Sequence, residues 1–216
     1  GGIVDNKKFL KILMKNVQFI DDFEVTEIKN LKGEKLIVDI NGKSVRAKSV
    51  IWANGHDMKN ILRNKLIIPT SGYVSYLKSN KLSENLKLNF SYGNFFSQPF
   101  QGYHQIGSAF YRTKQDLNNI NYKENFEKIP NFIKNNYNFV QKDINYSRFG
   151  IRATTKNKLP FFGNLDDFKE FFFGGMGSWG FIYAPFLAEI LVQYMLKENL
   201  CVEDFILNSL NIENRI

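Results

Sequence analysis

A glycine-rich stretch near the end of the chain has the residue types of a loop that binds negatively charged or electron-rich groups. It reads Gly-Gly-Met-Gly-Ser-Trp-Gly over residues 174–180, between an apolar run at residues 171–173 and an amphipathic segment at residues 181–196. The free N–H groups and positive dipole end of a helix start attract such atoms, and glycines let a ligand approach the backbone. The same pattern also fits a helix entry whose glycines serve only tight packing.

The position of this loop is wrong for the first turn of a dinucleotide-binding fold. A nucleotide-binding βαβ unit places its glycine loop early, with an acidic ribose ligand about 20 residues later. Here only residues 197–216 follow the helix, and they contain no run of β-forming residues. Binding of a cofactor pyrophosphate is therefore not predicted for this loop.

Composition and charge restrict the class of protein. The 216 residues carry a formal net charge of +8, which favours polyanionic partners such as RNA, or an acidic substrate. The lysines are scattered among asparagines, however, so a compositional bias explains the charge equally well. One cysteine, Cys201, permits no internal disulfide, and His56 and His104 lack metal-ligand spacing. We therefore expect no metal site and a location in the reducing cytoplasm. No apolar run reaches the length needed to span a membrane.

The first part of the chain predicts a helix followed by a β-meander. Asp5 can cap a helix over residues 5–16, and Asn41-Gly42 is a strong hairpin signal. Strands are predicted at residues 23–29, 35–40, 44–47 and 50–53.

Further strands and two short helices are predicted downstream. The strands lie at residues 67–77, 88–96, 104–110 and 144–154, and the helices at residues 122–128 and 131–137. Antiparallel signals dominate, so we expect an α+β fold with a mixed or antiparallel sheet, rather than a doubly wound one.

Several motifs in a fixed order resemble a known family. Gly-Ile-Arg-Ala-Thr and Leu-Pro-Phe-Phe-Gly within residues 150–163, the glycine loop, and Ala184-Pro185 are similar to the C-terminal signature of FAD-dependent amine oxidoreductases, the D-amino acid oxidase and glycine oxidase group. Within that group they resemble the flavin half of bifunctional enzymes that make 5-methylaminomethyl-2-thiouridine at the tRNA wobble position. Matching segments upstream lie at residues 50–55, 69–75 and 102–108.

The chain departs from this family pattern at three places. Asn157 stands where members often carry Asp, and Trp179 where they often carry Arg. The N-terminal Gly-x-Gly-x-x-Gly and the methyltransferase half, which uses S-adenosylmethionine, have no counterpart. We therefore expect a C-terminal part of such a protein, inactive alone. Its predicted domains are residues 1–65 and 154–216, from the FAD-binding domain, and residues 66–153, a β-rich substrate-binding domain.

The resemblance implies a set of FAD-binding residues. The backbone of the loop would face the isoalloxazine ring and stabilise negative charge on the reduced flavin, through Gly175, Met176, Gly177, Ser178, Trp179 and Gly180. Ala53 and Gly55 would pass beside the cofactor. Val25 would bind adenine through its backbone, although a valine in a strand is usually only a core residue.

The resemblance also implies substrate-binding residues. Arg152 would bind the substrate carboxylate, because a guanidinium matches the two oxygens of a carboxylate. Tyr103 would stack on a base or bound the flavin. We interpret His104 and Arg148 as structural residues.

The implied reaction is oxidation of the carboxymethylamino arm of 5-carboxymethylaminomethyl-2-thiouridine in tRNA, giving glyoxylate and 5-aminomethyl-2-thiouridine. Two alternatives stay open at this point. One is an oxidase of free glycine or sarcosine, and the other is a basic binding module without catalysis.

Overall fold

The computed structural model divides the chain into two compact units. One comprises Gly1–Val50 and Asp166–Glu170, and the other comprises Ile51–Leu165 and Phe171–Ile216. The structure describes residues 5–62, 66–111, 123–165, 169–200 and 202–215. Cys201 and the first residue of the helix predicted at 122–128 lie outside these ranges.

The first unit contains a helix and a three-stranded antiparallel sheet. Helix α1 spans Asn6–Leu13, and the Asp5 side chain caps it by accepting a hydrogen bond from the Lys8 N–H at 3.2 Å. The sheet order is β1-β2-β3, with β1 at Val25–Leu31, β2 at Glu34–Asp39 and β3 at Ser44–Ala47. Gly42 has a φ of +77° in the turn between β2 and β3, which confirms the predicted hairpin.

The second unit contains a larger sheet of five antiparallel strands in the order β6-β7-β8-β5-β9. The strands are β5 at Ile67–Lys78, β6 at Phe90–Ser91, β7 at Phe95–Phe96, β8 at Tyr103–Tyr111 and β9 at Ile144–Thr155. The single strand predicted at residues 88–96 is wrong, because the chain turns at Gly93 with a φ of +85°.

A smaller sheet in the order β10-β11-β4 precedes the C-terminal helices. Its strands are β4 at Val50–Trp52, β10 at Phe161–Asn164 and β11 at Glu170–Gly174. The helices of this part of the chain are α2 at Met58–Ile61, α3 at Glu124–Glu127, α4 at Asn131–Asn136, α5 at Gly180–Leu196 and α6 at Asp204–Leu210. No helix in the described ranges is long and apolar enough to cross a membrane.

The larger sheet has one buried face and one open face. On the buried face, Leu77 and Ile106 pack into a cluster with Ile129 and Ile133, which lie beside and within the short helices α3 and α4. Alternate residues of β5, from Thr70 to Tyr76, face the other side and are partly exposed. These sheets and helices confirm the predicted α+β class, and the open face is available to a ligand.

Candidate functional site

Arg152 lies on the open face of the larger sheet, near the end of β9. It pairs across the strands with Thr70 of β5, and its Nη1 donates a hydrogen bond to Ser178 Oγ at 3.1 Å. Burial lowers the pKa of Arg152 from its ordinary value, but a guanidinium still carries its charge in a folded protein. A half-buried arginine held in this way can bind the two oxygens of a carboxylate.

Backbone contacts fix the glycine loop against β9. The Gly177 N–H donates to the Ala153 carbonyl at 2.9 Å. Gly175 has a φ of +73°, and a Cβ at this position would lie 2.7 Å from Thr155 Cγ2 and 2.9 Å from Phe161 Cδ1. Real Cβ atoms do not approach other atoms this closely, so Gly175 is required for packing as well as for backbone conformation.

The start of α5 presents N–H groups that a ligand can bind. The Trp179 N–H is occupied, because it donates to the Met176 carbonyl at 3.0 Å. Among the described residues, the backbone N–H groups of Met176, Ser178 and Gly180 have no hydrogen-bond partner. Such groups at a helix start are donors for anionic or electron-rich ligand atoms.

Ala53 and Gly55 follow β4, and the glycine loop follows β11, which is the neighbour of β4 in the smaller sheet. Gly55 has a φ of +65°, and no atom lies within 4 Å of a Cβ built there. The 3-10 turn Gly55–Asp57 contacts β9, and the buried Met58 directly after it places its Cε 3.3 Å from the Cβ position of Gly174. The exposed Ala53 and the open Gly55 leave backbone that a cofactor can approach.

The other predicted site residues lie elsewhere. Val25 belongs to the first unit, where it begins β1 with 40% of its side chain exposed. Tyr103 shares the open sheet face with Arg152 but pairs with Lys78, eight residues along β5 from Thr70. At the rise of a strand, this separates Tyr103 from Arg152 by about 26 Å along the strand direction. The structure therefore brings Arg152 and the loop together, but not Tyr103.

His104 has the environment of a structural residue. Its side chain is fully buried, with Nδ1 2.8 Å from the Ser97 carbonyl and Nε2 2.9 Å from Ser83 Oγ. Burial lowers the pKa of His104 and outweighs the opposite effect of the Ser97 hydrogen bond. Both ring nitrogens have partners, so neither faces a substrate.

Asn157 is bound by an arginine that the sequence analysis did not find. Asn157 Oδ1 accepts hydrogen bonds from the Leu159 N–H at 3.1 Å and from Arg215 Nη2 at 2.5 Å. Arg215 Nη1 also donates to the Pro160 carbonyl at 2.5 Å. No local pattern links Arg215 to Asn157, which lies 58 residues earlier, and only the fold brings Arg215 to this turn.

Trp179 is the second departure from the family pattern. Its side chain is 56% exposed, and its ring centroid lies 6.4 Å from that of Tyr183 in a tilted arrangement. The indole therefore lies at the surface of the loop, at the position where the family pattern often has Arg.

Several curated relatives of the chain share one name. The chain is 24% identical over 214 residues to the tRNA 5-methylaminomethyl-2-thiouridine biosynthesis bifunctional protein MnmC of Leptospira interrogans, with 82% of the chain and 33% of that protein covered. The MnmC of Aliivibrio fischeri is also 24% identical, with 88% and 33% covered. The chain thus spans about a third of the length of these relatives.

Solved structures share the fold at lower identity. Glycine oxidase from Geobacillus kaustophilus superposes with a TM-score of 0.66 at 16% identity, over 85% of this chain and 50% of that one. Iminodiacetate oxidase from Chelativorans gives a TM-score of 0.70 at 13% identity, with 91% and 55% covered. L-alpha-glycerophosphate oxidase from Mycoplasma pneumoniae, solved with FAD bound, gives 0.66 at 19% identity, with 90% and 55% covered.

A family profile matches most of the chain. It is the profile of the FAD dependent oxidoreductases, DAO, and it covers residues 1–194. The order of motifs, the α+β fold and the solved neighbours agree with this match. The chain therefore belongs to the DAO family of FAD-dependent oxidoreductases.

Proposed function

We propose that this chain is part of a flavoenzyme that removes the carboxymethyl arm of 5-carboxymethylaminomethyl-2-thiouridine at the tRNA wobble position. The products would be glyoxylate and 5-aminomethyl-2-thiouridine. One observation carries the proposal: Arg152 Nη1 lies 3.1 Å from Ser178 Oγ, so a carboxylate-binding group adjoins the loop whose N–H groups fit a flavin. The tRNA substrate is suggested by the names of the MnmC relatives.

The residues of the loop fit FAD. The N–H groups of Met176, Ser178 and Gly180 are donors suited to the edge of a flavin ring on which negative charge develops. Gly55 offers open backbone in the same unit as the loop. The adenine contact of the Val25 backbone, which the family resemblance implies, stays a prediction. When bound, FAD supplies the two-electron acceptor for oxidation of the C–N bond.

Arg152 and Ser178 would position the substrate. The guanidinium binds both carboxylate oxygens of the modified uridine, and this contact orients the carbon between carboxylate and amine toward the loop. The Ser178 hydroxyl holds the guanidinium at its Nη1. Oxidation of that carbon gives an imine on the substrate, and addition of water then breaks the C–N bond to release glyoxylate.

A second candidate is oxidation of a small free amine such as glycine or sarcosine. The solved neighbours include a glycine oxidase and an iminodiacetate oxidase, and Arg152 would bind the carboxylate of either kind of substrate. The other alternative, a basic binding module without catalysis, depends on the absence of the dinucleotide-binding motif from the chain. That argument loses its weight for a chain that spans a third of its relatives.

The experiment that tests the proposal incubates the FAD-loaded full-length protein with tRNA carrying 5-carboxymethylaminomethyl-2-thiouridine. We expect the modified nucleoside to be converted to 5-aminomethyl-2-thiouridine, with one glyoxylate released for each. Glycine, sarcosine and iminodiacetate are assayed in parallel. Turnover of a free amine with unchanged tRNA would replace the proposal by the second candidate.

Other assignments complete the proposal. We assign residues 1–65 and 154–216 to the FAD-binding domain and residues 66–153 to the substrate-binding domain. We also propose a cytoplasmic location and a fused methyltransferase that uses S-adenosylmethionine. The word bifunctional in the name of the relatives supports a fused second activity.

A further inference from the structure

We infer that the open face of the larger sheet binds nucleotides of an RNA substrate at an aromatic cluster remote from Arg152. The cluster consists of Tyr76, Tyr103, Tyr146 and Arg148 and is called the tyrosine platform here. This inference rests on the proposed tRNA substrate and adds to it the surface that holds the RNA.

Strand register places the platform on one face. Tyr76 of β5 pairs with Tyr146 of β9, and Val74 pairs with Arg148. Residues that pair directly across antiparallel strands point to the same side of the sheet. Tyr103 of β8 pairs with Lys78 and so joins this side.

The rings of the platform contact one another in defined geometries. Tyr76 and Tyr146 are stacked, with centroids 4.3 Å apart and an interplanar angle of 12°. Tyr103 meets Tyr146 edge to face at 5.8 Å, and Asn145 Nδ2 donates to the Tyr103 hydroxyl at 3.2 Å. Arg148 Cζ lies 5.5 Å from the centroid of Tyr76 and 5.8 Å from that of Tyr146. The planar groups are therefore already ordered.

The platform lies on the surface and is positively charged. Tyr146 is 37% exposed, and Arg148 is also exposed. Lys78 lies next to Tyr103, and none of the residues on this side of segments 70–78, 103–107 and 146–152 is acidic. The other two tyrosines, Tyr76 and Tyr103, are partly exposed. A cation beside such a cluster favours a polyanion.

Unpaired bases of RNA bind to surfaces of this kind. Bases stack on aromatic rings or on the plane of an arginine, and a neighbouring cation contacts the phosphate backbone. Double-stranded RNA would not expose its bases in this way, so the platform fits a single-stranded loop.

The tyrosine platform lies far from Arg152, beside which the oxidation is proposed to take place. Tyr146 lies six residues before Arg152 on β9, which corresponds to about 20 Å along the strand. Between them, Gly150 pairs with Gly72, and this pair leaves a stretch of open face without side chains. One base cannot reach both sites, so the platform would hold a nucleotide other than the uridine that is oxidised.

The test measures binding of a labelled anticodon stem-loop RNA to the FAD-loaded full-length protein by fluorescence anisotropy. Tyr146→Ala and Arg148→Gln should each raise the Kd about tenfold. Arg148→Gln should also reduce the slope of log K against log salt by about 1, because one phosphate contact is lost. The KM for modified tRNA should rise in each variant in proportion to the Kd.

Matched controls separate the platform from general surface effects. Phe205→Ala removes an aromatic side chain that is 65% exposed on α6, and Arg46→Gln removes an exposed arginine of β3. Both should bind the RNA as the unsubstituted protein does. Tyr146→Phe keeps the ring and should stay within about twofold in Kd. An unchanged flavin absorbance spectrum verifies the fold of each variant.

Two outcomes overturn the inference in distinguishable ways. If tRNA is oxidised while Tyr146→Ala and Arg148→Gln keep the Kd of the unsubstituted protein, the platform is wrong and the proposed function stands. If free amines are oxidised and modified tRNA is neither bound nor oxidised, the proposed function fails, and the platform fails with it.

Discussion

Arg152 on strand β9 and Ser178 in the loop before α5 are joined by a hydrogen bond of 3.1 Å, although they lie 26 residues apart in the chain. The bond fixes a cation of the sheet relative to the start of a helix. A carboxylate bound by Arg152 and a ring bound by the loop would therefore be held at one relative position, as oxidation of the carbon next to the carboxylate requires.

Replacing Arg152 should weaken use of a carboxylate substrate. Arg152→Lys keeps a positive charge but loses the planar pair of donors, so we expect kcat/KM to fall about tenfold, and Arg152→Gln should lower it about a hundredfold. Steady-state kinetics on the substrate identified for the protein measures both. An equal loss for an amine lacking the carboxylate would contradict carboxylate binding by Arg152.

Ser178 should act through Arg152. Ser178→Ala removes the acceptor that holds Nη1, and we expect a loss of about 1 kcal/mol in transition-state stabilisation. In a double-mutant cycle with Arg152→Gln, the second substitution should add little to the first. Fully additive losses would show that the two side chains act independently.

Gly175 should tolerate no side chain. Gly175→Ala forces a φ of +73° on an L-residue and a contact of 2.7 Å with Thr155 Cγ2, so we expect the free energy of unfolding to fall by about 3 kcal/mol. Gly93→Ala is the matched control, because Gly93 has a φ of +85° with nothing within 4 Å, and it should cost about 1 kcal/mol. Urea denaturation measures both, and equal losses would exclude the packing contribution.

The sequence predicted helices, strands and turns better than it predicted the distances between candidate site residues. Local signals such as the Asp5 cap and the Asn41-Gly42 turn fix nearby backbone, and the structure has both. Tyr103 illustrates the opposite case. Its alternation pattern predicts a strand, but its separation from Arg152 depends on the register among β5, β8 and β9, which no local pattern encodes.

The glycine loop shows why one pattern supported two interpretations. Gly175 packs against Thr155 and Phe161, whereas Ser178 and Gly180 present N–H groups without partners in the described part of the chain. Packing and ligand binding therefore use different residues of the same seven-residue stretch, and a sequence does not separate the two. Arg215 was missed because its role depends entirely on the turn to which the fold brings it.

Burial of His104 should make stability depend on pH. Its pKa is lowered in the folded state, so below the unfolded pKa, about 6.5, the unfolded chain binds a proton that the folded chain does not. The free energy of unfolding should therefore decrease as the pH falls from about 6.5 toward the folded pKa. Urea denaturation between these values should give a smaller pH slope for His104→Gln than for the unsubstituted protein, and an equal slope would contradict the role of His104.

Asn157→Asp should stabilise the protein. A carboxylate at this position would turn the hydrogen bond from Arg215 into a charge-assisted one, with an expected gain of about 1 kcal/mol at neutral pH. The measurement is the urea midpoint of Asn157→Asp in two backgrounds. The gain in stability should disappear in the Arg215→Gln background. A gain that persists in that background would show that the introduced carboxylate is stabilised by a partner other than Arg215.

The cross-strand pair of Gly72 and Gly150 lies between Arg148 and Arg152 on the open face of the sheet. Arg148 and Arg152 are four residues apart on β9, about 13 Å along the strand. This distance exceeds the Debye length of about 8 Å at physiological ionic strength. In the cell, each guanidinium therefore attracts its own anionic group almost independently, whereas in dilute buffer their Coulomb fields overlap and act on one anion together.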